Sequence, residues 1–458
     1  MKSIVLMVVI IFTSCVRDKN ESTVPEKQVT VDPRVQKLDV LMSAFVEKDK
    51  FSGVVLAMRE DKVLYGKAFG YANRQHEIPN TMDTKFRIGS VTKQFTSALV
   101  LKLVEAGKIS LEDKLDKFIP DYPTGNRITV RHLLSHTSGI VNFTDDKEYP
   151  KIMSQKHTMD ELINLFKSRP LEFEPGSKFK YCNSGYILLT FIIEKVTGKS
   201  YDKALAEIIL KPAGLNNTGY AFNKIIIKKM ASGYSIGSDG NFENASFNHM
   251  SIPQGAGGMY STAPDLCKWD RALRNGSILN ENSLKELYTP VKGQYALGWI
   301  VTKLHDSDVI MHGGGINGFV SYFLRYTADK TCIVVLSNNV ALSPQRIGVS
   351  IGAAVHGKPY KIPRIKKEIN LEVSELSKYT GTYVLEGAKI SMNIALSGKH
   401  LTAQVTGQRA IPVFAEKKDN FFLKVVDAEI VFIWKNGKIE KLILHQGGRS
   451  SNWIRQSE

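Results

Sequence analysis

The chain has 458 residues, of which 43% are hydrophobic and 23% are charged, and its formal net charge is +16. This composition is typical of a globular protein and excludes a disordered or membrane-embedded chain, while the length predicts two or three domains. Lys and Arg are scattered without a basic stripe interleaved with aromatic residues, so we expect a solvated cationic surface and no nucleic-acid partner.

The first fifteen residues predict an export signal. Met1-Lys2 gives a positive start, and the apolar run from Ile4 to Phe12 is shorter than the about 20 residues that span a bilayer as a helix. Small residues directly before Cys15 resemble a bacterial lipoprotein signal, which implies a lipid anchor on Cys15 and a location in the cell envelope. Plain secretion and an uncleaved anchor stay open. Residues 16–34 would then form a tether.

Residues 35–355 are predicted to form one α/β domain. Alternating polarity predicts a β-hairpin over Phe51–Asn73 with its turn at Arg59–Lys62, and apolar residues at helical spacing predict a helix from Ser90. Residues 111–211 are predicted to be mainly helical. Strands return over residues 295–304 and 308–338, the latter broken by a turn at 327–330, and a helix is predicted over 344–355. Strands on both sides of a helical insertion indicate an antiparallel sheet covered by helices.

The last hundred residues have a different pattern. Residues 356–371 are rich in Pro and basic residues and lack periodicity, which predicts a linker. Residues 372–458 contain short strands at regular spacing with turns between them, which is typical of a small β-barrel or sandwich.

Ser90 and Lys93 are a candidate nucleophile and base. A serine hydroxyl is a weak nucleophile that needs a base beside it, and residues three apart are neighbours on a helix. A lysine can act as that base only if burial or neighbouring cations keep it neutral. Alone, Ser-x-x-Lys is better explained by a helix-capping serine and a surface lysine, so the function depends on further motifs.

Two further stretches carry groups that suit the same chemistry. Tyr181 lies on a turn before an apolar helix and could relay protons, and Asn183 offers an amide to a substrate carbonyl or to Lys93. His312 is followed by three glycines, which allow a strand to approach a ligand closely.

Together Ser90-x-x-Lys93, Tyr181-x-Asn183 and His312-x-Gly314 resemble the serine β-lactamase and penicillin-binding protein superfamily, over residues 35–355. The branch indicated holds class C β-lactamases, D-alanyl-D-alanine carboxypeptidases, D-aminopeptidases and esterases. The resemblance implies a sheet flanked by helices with a helical insertion, a cleft between the two, and a lipocalin-like C-terminal barrel. It also implies that Ser90 is acylated, that Lys93 and Tyr181 move its proton, and that the N–H groups of Ser90 and Gly315 hold the oxyanion, with Asn183, His312 and Gly314 at the substrate.

The sequence departs from the β-lactamase pattern at His312, where class C β-lactamases usually carry lysine. Histidine would offer a weaker, titratable positive charge to a substrate carboxylate, as in D-peptidases and esterases of the superfamily. We therefore expect an envelope serine hydrolase of the D-peptidase or D,D-carboxypeptidase type. An esterase or weak β-lactamase is the alternative, and a non-catalytic penicillin-binding or sensing protein is a further one. The oligomeric state and the role of the C-terminal domain stay open.

Two other motifs do not fit their usual context. Gly313 to Gly318 satisfies G-x-G-x-x-G, but strands rather than a helix are predicted to follow, which argues against a dinucleotide site. His132 and His136 have zinc-ligand spacing, but the glutamate of H-E-x-x-H is replaced by Leu133. No metal and no cofactor is predicted, and the expected partner is a small molecule or peptide with an acyl carbonyl.

Overall fold

A computed structural model describes residues 33–46, 51–237, 240–362, 366–423, 428–446 and 449–456. The predicted export signal, Cys15 and nearly all of the predicted tether lie outside these residues. Within the part of the chain that is described, no helix is both long enough and apolar enough to cross a membrane.

The described helices and strands form a central sheet, a helical region and a C-terminal all-β region. The described helices are α1 Pro33–Val46, α2 Thr92–Glu105, α3 Val130–Leu134, α4 Tyr149–Ile152, α5 Met159–Asn164, α6 Asn183–Thr197, α7 Tyr201–Leu205, α8 Gln254–Gly257, α9 Ala263–Arg274, α10 Glu281–Tyr288, α11 Pro344–Val355 and α12 Val373–Leu376. The described strands of the first 355 residues are β1 Gly53–Arg59, β2 Lys62–Phe69, β3 Tyr71–Asn73, β4 Ile78–Pro79, β5 Phe86–Arg87, β6 Gly219–Tyr220, β7 Tyr234–Ile236, β8 Phe242–Asn244, β9 Met259–Ser261, β10 Ile300–Leu304, β11 Ser307–Ile316, β12 Phe319–Tyr326 and β13 Thr331–Ser337.

A six-stranded antiparallel sheet, in the order β10-β11-β12-β13-β1-β2, is the centre of the first domain. The predicted hairpin forms as β1 and β2, and its two turn residues Glu60 and Asp61 have φ of 48° and 68°, the backbone of a type I′ turn. The predicted turn between β12 and β13 and the predicted helix over 344–355 are confirmed.

Both faces of the sheet are buried, because successive side chains of a strand point to opposite faces. In β1, Val54 and Leu56 pack into the core beneath α2 and α6, whereas Val55 and Ala57 pack into the core beneath α1 and α11. The sheet therefore separates two cores, and α2 lies between the sheet and the helical region.

The helical region is less regular than predicted. Residues 111–211 contain the long helix α6 but otherwise only short helices joined by turns. Side-chain capping defines two of the short helices, since Thr129 caps α3 and Thr158 caps α5, each in a capping box. The apolar helix predicted after Tyr181 forms as α6, but periodicity could not show how often the chain turns elsewhere in this region.

The C-terminal region is a closed barrel of eight strands. They are β14 Gly381–Leu385, β15 Ser391–Ser397, β16 His400–Val405, β17 Ile411–Lys417, β18 Asn420–Leu423, β19 Ala428–Lys435, β20 Lys438–Gln446 and β21 Arg449–Arg455, with β14 paired to β21. Of the two architectures that the sequence left open, the barrel is the one that forms. Side chains such as Tyr383, Leu401 and Leu442 fill its interior. The described residues between Gly357 and Leu371 form neither helix nor strand.

A buried ion pair joins the sheet to α9 and gives a test of the packing. Asp270 pairs with Arg325 of β12 and, at 2.8 Å, with Arg274. Removing one member of a buried pair leaves an uncompensated charge. We expect Asp270→Asn to lower the free energy of unfolding by about 3–5 kcal/mol in urea denaturation.

Asp61→Asn is the matched control for this variant. Asp61 makes an exposed ion pair of 3.0 Å with the same Arg274, so its loss should cost under about 1 kcal/mol. Equal effects of the two substitutions would contradict a buried ion pair that anchors α9.

Candidate active site

Ser90 lies in a sharp turn that leads into α2. Gly89 has φ of 48°, in the left-handed region that favours glycine, and residues 89–91 form a short 3₁₀ turn before α2 begins at Thr92. The Ser90 N–H therefore belongs to the first turn of a helix, where donors lack intrahelical partners. The sequence predicted this placement of Ser90.

Lys93 is fully buried one turn further along, with its side-chain nitrogen against three oxygen atoms. The Nζ atom lies 2.7 Å from the Ala256 carbonyl oxygen, 2.9 Å from Asn183 Oδ1 and 3.1 Å from Ser90 Oγ. The first two oxygens can only accept hydrogen bonds, whereas a hydroxyl can also donate. A neutral amine has two hydrogens and one lone pair, so it can donate to Ala256 and Asn183 and accept from Ser90.

Burial also favours the neutral amine. Desolvation lowers the pKa of Lys93 well below its ordinary value. The rings of Tyr181 and Tyr186 flank the Nζ atom, with centroids at 4.8 Å and 5.2 Å, and no ion pair to Lys93 occurs among the described residues. The arrangement can therefore supply a base directly beside the Ser90 hydroxyl.

Tyr181 approaches the same hydroxyl from the turn before α6. Its side chain makes a hydrogen bond with Ser90, and burial raises the pKa of Tyr181 far above that of free tyrosine. The phenol therefore keeps its proton and can donate it, which suits a relay to a leaving group.

Asn183 lies between Lys93 and the cleft. Its Oδ1 accepts from Lys93, its Nδ2 donates to Thr144 Oγ1 at 3.0 Å, and its backbone N–H donates to Asn142 Oδ1 at 2.9 Å. Of the two roles that the sequence left open, the contact with Lys93 is present. Asn183 also lines the cleft beside Ser90, and its contact with a substrate carbonyl stays a prediction.

The main chain of β11 presents two glycines to the Ser90 turn. The hairpin from β10 to β11 has a two-residue turn of type I′, and the Thr327 N–H donates to the Asp308 carbonyl oxygen. The N–H and C=O groups of the even-numbered residues of β11 therefore point toward β12. Those of the odd-numbered residues point toward the opposite edge of β11, which β10 covers only as far as Met311. The N–H and C=O groups of Gly313 and Gly315 therefore lie along the uncovered edge.

The Gly315 N–H is in place for the predicted oxyanion site. A Cβ atom built on Gly89 would lie 2.7 Å from the Gly315 nitrogen, which shows how closely β11 approaches the Ser90 turn. Backbone donors from the Ser90 turn and from Gly315 thus border the same space, as in an oxyanion hole.

Gly314 has a steric role that the sequence did not specify. Its main chain faces β12, and a Cβ atom there would lie 2.0 Å from the Ile88 carbonyl oxygen and 3.0 Å from the Ser90 nitrogen. Only glycine permits this approach, so Gly314 positions β11 rather than contacting the substrate through its own N–H.

His312 differs from the expectation of a positive charge. Its side chain is 4% exposed, with Nε2 at 3.0 Å from the Tyr295 hydroxyl and Nδ1 at 2.6 Å from the Gly313 carbonyl oxygen. Burial, followed by the neighbouring Lys93, lowers the pKa of His312 to about 4. Burial of the ring therefore favours its neutral form, whereas the motif suggested a more exposed histidine.

Tyr295 and His136 are site residues that sequence reasoning missed. Tyr295 was assigned to a strand, yet it lies in the turn before β10 with its hydroxyl between the two histidines. His136 and His132 do not share a helix face, since α3 ends at Leu134 and His136 has a left-handed φ of 59°. Both histidines were visible in the sequence, but nothing in it indicated the tyrosine between them.

Cys182 is a buried thiol. Its Sγ donates to the Ile140 carbonyl oxygen at 3.2 Å, and burial raises the pKa of the thiol. After the glycines of 313–318 the chain continues as β12, so the helix that a dinucleotide site requires does not follow.

A cleft of about 240 Å³ opens beside Ser90. Of the predicted residues, Ser90, Asn183 and Gly315 line it, whereas Lys93 and His312 lie behind its wall. None of the lining residues carries a formal charge; the others are Phe143, Thr144, Tyr149, Ile187, Asn248, Ile252, Pro253, Ala256, Gly257, Ile316 and Asn317.

Comparison with known families agrees with this geometry. Residues 38–354 match the family model described as Beta-lactamase, which covers more than half of the chain. The chain belongs to the beta-lactamase family. It is therefore a serine hydrolase, with the α/β fold and helical insertion of that family. Residues 366–454, which include the barrel, match a domain of unknown function, DUF3471.

Individual relatives span both domains or the first one. Penicillin-binding protein 4* of Bacillus subtilis is 28% identical over 447 residues, covering 91% of this chain and 98% of its own. The octameric penicillin-binding protein homologue from Pyrococcus abyssi superposes with a TM-score of 0.65 at 26% identity, covering 92% of this chain and 99% of its own. A D-stereospecific amidohydrolase from Streptomyces sp. superposes with a TM-score of 0.62 at 27% identity, covering 70% of this chain and 98% of its own.

The contact between β11 and the Ser90 turn predicts a strong effect of one methyl group. Gly314→Ala would place Cβ against the Ile88 carbonyl, so β11 must move away from Ser90. A shift of about 1 Å in such a site can lower rates by about 100-fold. We expect a loss of this order in the rate at which a fluorophosphonate labels the protein.

Gly313→Ala is the control for the methyl group. Its Cβ would make only ordinary contacts of 3.7 Å and 3.9 Å with β12, so labelling should stay close to wild type. Thermal denaturation of both variants separates displacement of the strand from global unfolding. Similar labelling of the two variants would contradict the steric role of Gly314.

Proposed function

We propose that the protein is a cell-envelope hydrolase that cleaves amide bonds in small D-configured peptides or amino-acid amides through an acyl-enzyme at Ser90. The observation that carries the proposal is the placement of Lys93 Nζ between two obligate acceptors and the Ser90 hydroxyl. This geometry points the amine lone pair at the hydroxyl, which is what an activated serine needs.

Acylation would proceed in two linked transfers. Ser90 Oγ attacks the substrate carbonyl carbon, its proton moves to Lys93 Nζ, and the carbonyl oxygen becomes an oxyanion between the N–H groups of Ser90 and Gly315. The carbon–nitrogen bond then breaks. Tyr181 donates a proton to the leaving nitrogen, and Lys93 returns a proton to Tyr181. Removing an oxyanion donor of this kind typically costs about 3 kcal/mol of transition-state stabilisation.

Deacylation would reverse the direction of proton transfer. A water molecule attacks the acyl carbon, its proton moves to the Lys93 and Tyr181 pair, and Ser90 Oγ leaves and is reprotonated. The same residues thus act first as base and then as acid, as microscopic reversibility requires. No metal or cofactor takes part in this scheme.

The preference for amides of D-residues is supported by likeness rather than by one contact. The Streptomyces sp. structure is named a D-stereospecific amidohydrolase, and the uncovered edge at Gly313 and Gly315 can pair with a peptide-like substrate by main-chain hydrogen bonds. Esters fit the same acylation chemistry. A panel of a D-dipeptide, p-nitrophenyl acetate and nitrocefin, run with wild type and Ser90→Ala, distinguishes peptidase, esterase and β-lactamase.

Lys93→Arg tests the base. Arginine keeps a positive charge but cannot give up its proton at accessible pH. We expect fluorophosphonate labelling of Ser90 to slow by about 100-fold or more, the range that general bases contribute.

Lys102→Arg, on the same helix, is the control for this change. Lys102 makes an ion pair of 2.7 Å with Glu105 and does not contact the site, so labelling should be unaffected. Folding of each variant is checked by thermal denaturation. Wild-type labelling in a folded Lys93→Arg variant would rule out Lys93 as the base.

The envelope location rests on the sequence around Cys15, where a lipoprotein-type signal is predicted. Expressed in a bacterium that processes lipoproteins, the wild type should incorporate labelled palmitate and sediment with membranes, and Cys15→Ser should do neither. Palmitate incorporation equal in both would contradict lipidation at Cys15.

A further inference from the structure

Three side chains from separate parts of the fold form a hydrogen-bonded row behind Ser90. His136 follows α3, Tyr295 precedes β10 and His312 lies on β11. The Tyr295 hydroxyl is 3.1 Å from His136 Nε2 and 3.0 Å from His312 Nε2. We call this row the His136–Tyr295–His312 relay. None of the mechanism proposed above uses it.

Main-chain groups fix both ends of the relay. At one end the Cys182 N–H donates to His136 Nδ1 at 3.1 Å, so that nitrogen carries no proton and His136 must donate through Nε2 to Tyr295. At the other end the Gly313 carbonyl oxygen lies 2.6 Å from His312 Nδ1 and can only accept. His312 therefore carries a proton on Nδ1.

The Tyr295 hydroxyl hydrogen then decides the charge of His312. Directed at His312 Nε2, it leaves the ring neutral. A cationic His312 would need Tyr295 to turn this hydrogen toward another acceptor, and the Tyr186 hydroxyl is the available one. The cation would then be buried with no ion pair to a carboxylate among the described residues.

We propose that the His136–Tyr295–His312 relay holds His312 as the neutral Nδ1-protonated tautomer, so that the site selects substrates whose leaving side is uncharged over substrates that end in a carboxylate. This inference rests on the proposed acylation of Ser90 for its catalytic consequence. The state of His312 itself does not depend on it.

Among the described residues, the rest of the site gives a carboxylate no other cation. The residues that line the cleft are uncharged, and Lys93 is neutral in its hydrogen-bonding pattern. The titratable groups near His312 are Lys93, Tyr181, Tyr295 and His136. A carboxylate drawn into this space would lose water without gaining a charged partner. Amino-acid amides and the neutral ends of peptides suffer no such loss, so the relay favours amidase or aminopeptidase specificity over carboxypeptidase specificity.

A matched pair of substrates tests the selectivity. D-alanyl-D-alanine and its C-terminal N-methylamide share one scissile peptide bond and differ in one charge. We expect kcat/KM of the wild type for that bond to be at least about tenfold higher for the N-methylamide at pH 7.5, measured by mass spectrometry of the products. Equal values, or a preference for the carboxylate, would overturn the proposal.

The histidine side chains test the relay without any turnover. In protein labelled with ¹⁵N-histidine, long-range proton–nitrogen spectra distinguish the two neutral tautomers and the cation, and loss of one signal set in His312→Gln assigns the ring. We expect His312 to show the Nδ1-protonated neutral pattern from pH 8 to pH 5.5. A cationic pattern emerging near pH 6.5, as in free histidine, would refute the proposal.

Tyr295→Phe removes the central hydroxyl of the relay. It tests whether this hydroxyl sets the protonation of His312 or whether the Tyr295 ring only fills space. Without the hydroxyl hydrogen directed at Nε2, His312 should keep its Nδ1 proton, which the Gly313 carbonyl holds, but should titrate closer to pH 6.5. The preference for the N-methylamide should then shrink below that pH. Tyr322→Phe is the control, since Tyr322 is a buried tyrosine of β12 whose hydroxyl contacts only Met311 sulfur in the described bonds. An unchanged His312 pattern in Tyr295→Phe would contradict the relay.

The two proposals fail in different ways. No fluorophosphonate adduct on Ser90 would contradict the acyl-enzyme, and the histidine spectra would still decide the relay. A normal adduct together with a cationic His312 would contradict the relay and leave the acyl-enzyme intact.

Discussion

The burial of one lysine, with no counter-ion among the described residues, is the constraint on which the site depends. Lys93 is inaccessible to solvent beneath α6 and α8, and its neighbours are two obligate acceptors, a hydroxyl and two tyrosine rings. A permanent charge there would be costly, because burial of an ion is compensated only by a well-placed opposite charge. The neutral amine satisfies every neighbour, so the chemistry of Ser90 follows from the packing around Lys93.

That packing requires three main-chain segments to meet at unusually short range. Gly314 brings β11 against Ile88, and Gly89 allows the Ser90 turn to lie against Gly315. On the opposite side the Gly255–Gly258 segment brings the Ala256 carbonyl to Lys93, since a Cβ atom on Gly255 would lie 2.6 Å from Thr190 Oγ1. The glycines therefore act by lacking a side chain. Backbone donors and acceptors of the three segments can lie close together, where a side chain would hold the segments apart.

Sequence reasoning succeeded where local rules determine the structure. Short-range periodicity and turn residues predict the hairpin turn at Glu60 and Asp61, the bounds of α11 and the regular spacing of the barrel strands. The grouping of Ser90, Lys93 and Tyr181 could be inferred because their spacing resembles that of a known superfamily. Residue type alone could not give the charge of His312, because that charge depends on burial and on Tyr295, which is distant from any motif. The short helices of residues 111–211 likewise depend on tertiary packing that periodicity does not encode.

The absence of fixed charge around Ser90 also explains how the site can favour a transition state over the substrate. Before acylation the hydrogen bonds of Lys93, Tyr181 and His312 are those of neutral groups. Proton transfer to Lys93 and formation of the oxyanion would create a cation and an anion together, in surroundings of low dielectric where such a pair attracts strongly. Interactions that exist only after charge separation lower the barrier without tightening substrate binding. A substrate carboxylate would place a third charge beside this pair and compete with the oxyanion for Lys93. Neutrality of His312 and neutrality of the substrate's leaving side are therefore two requirements of the same electrostatic arrangement.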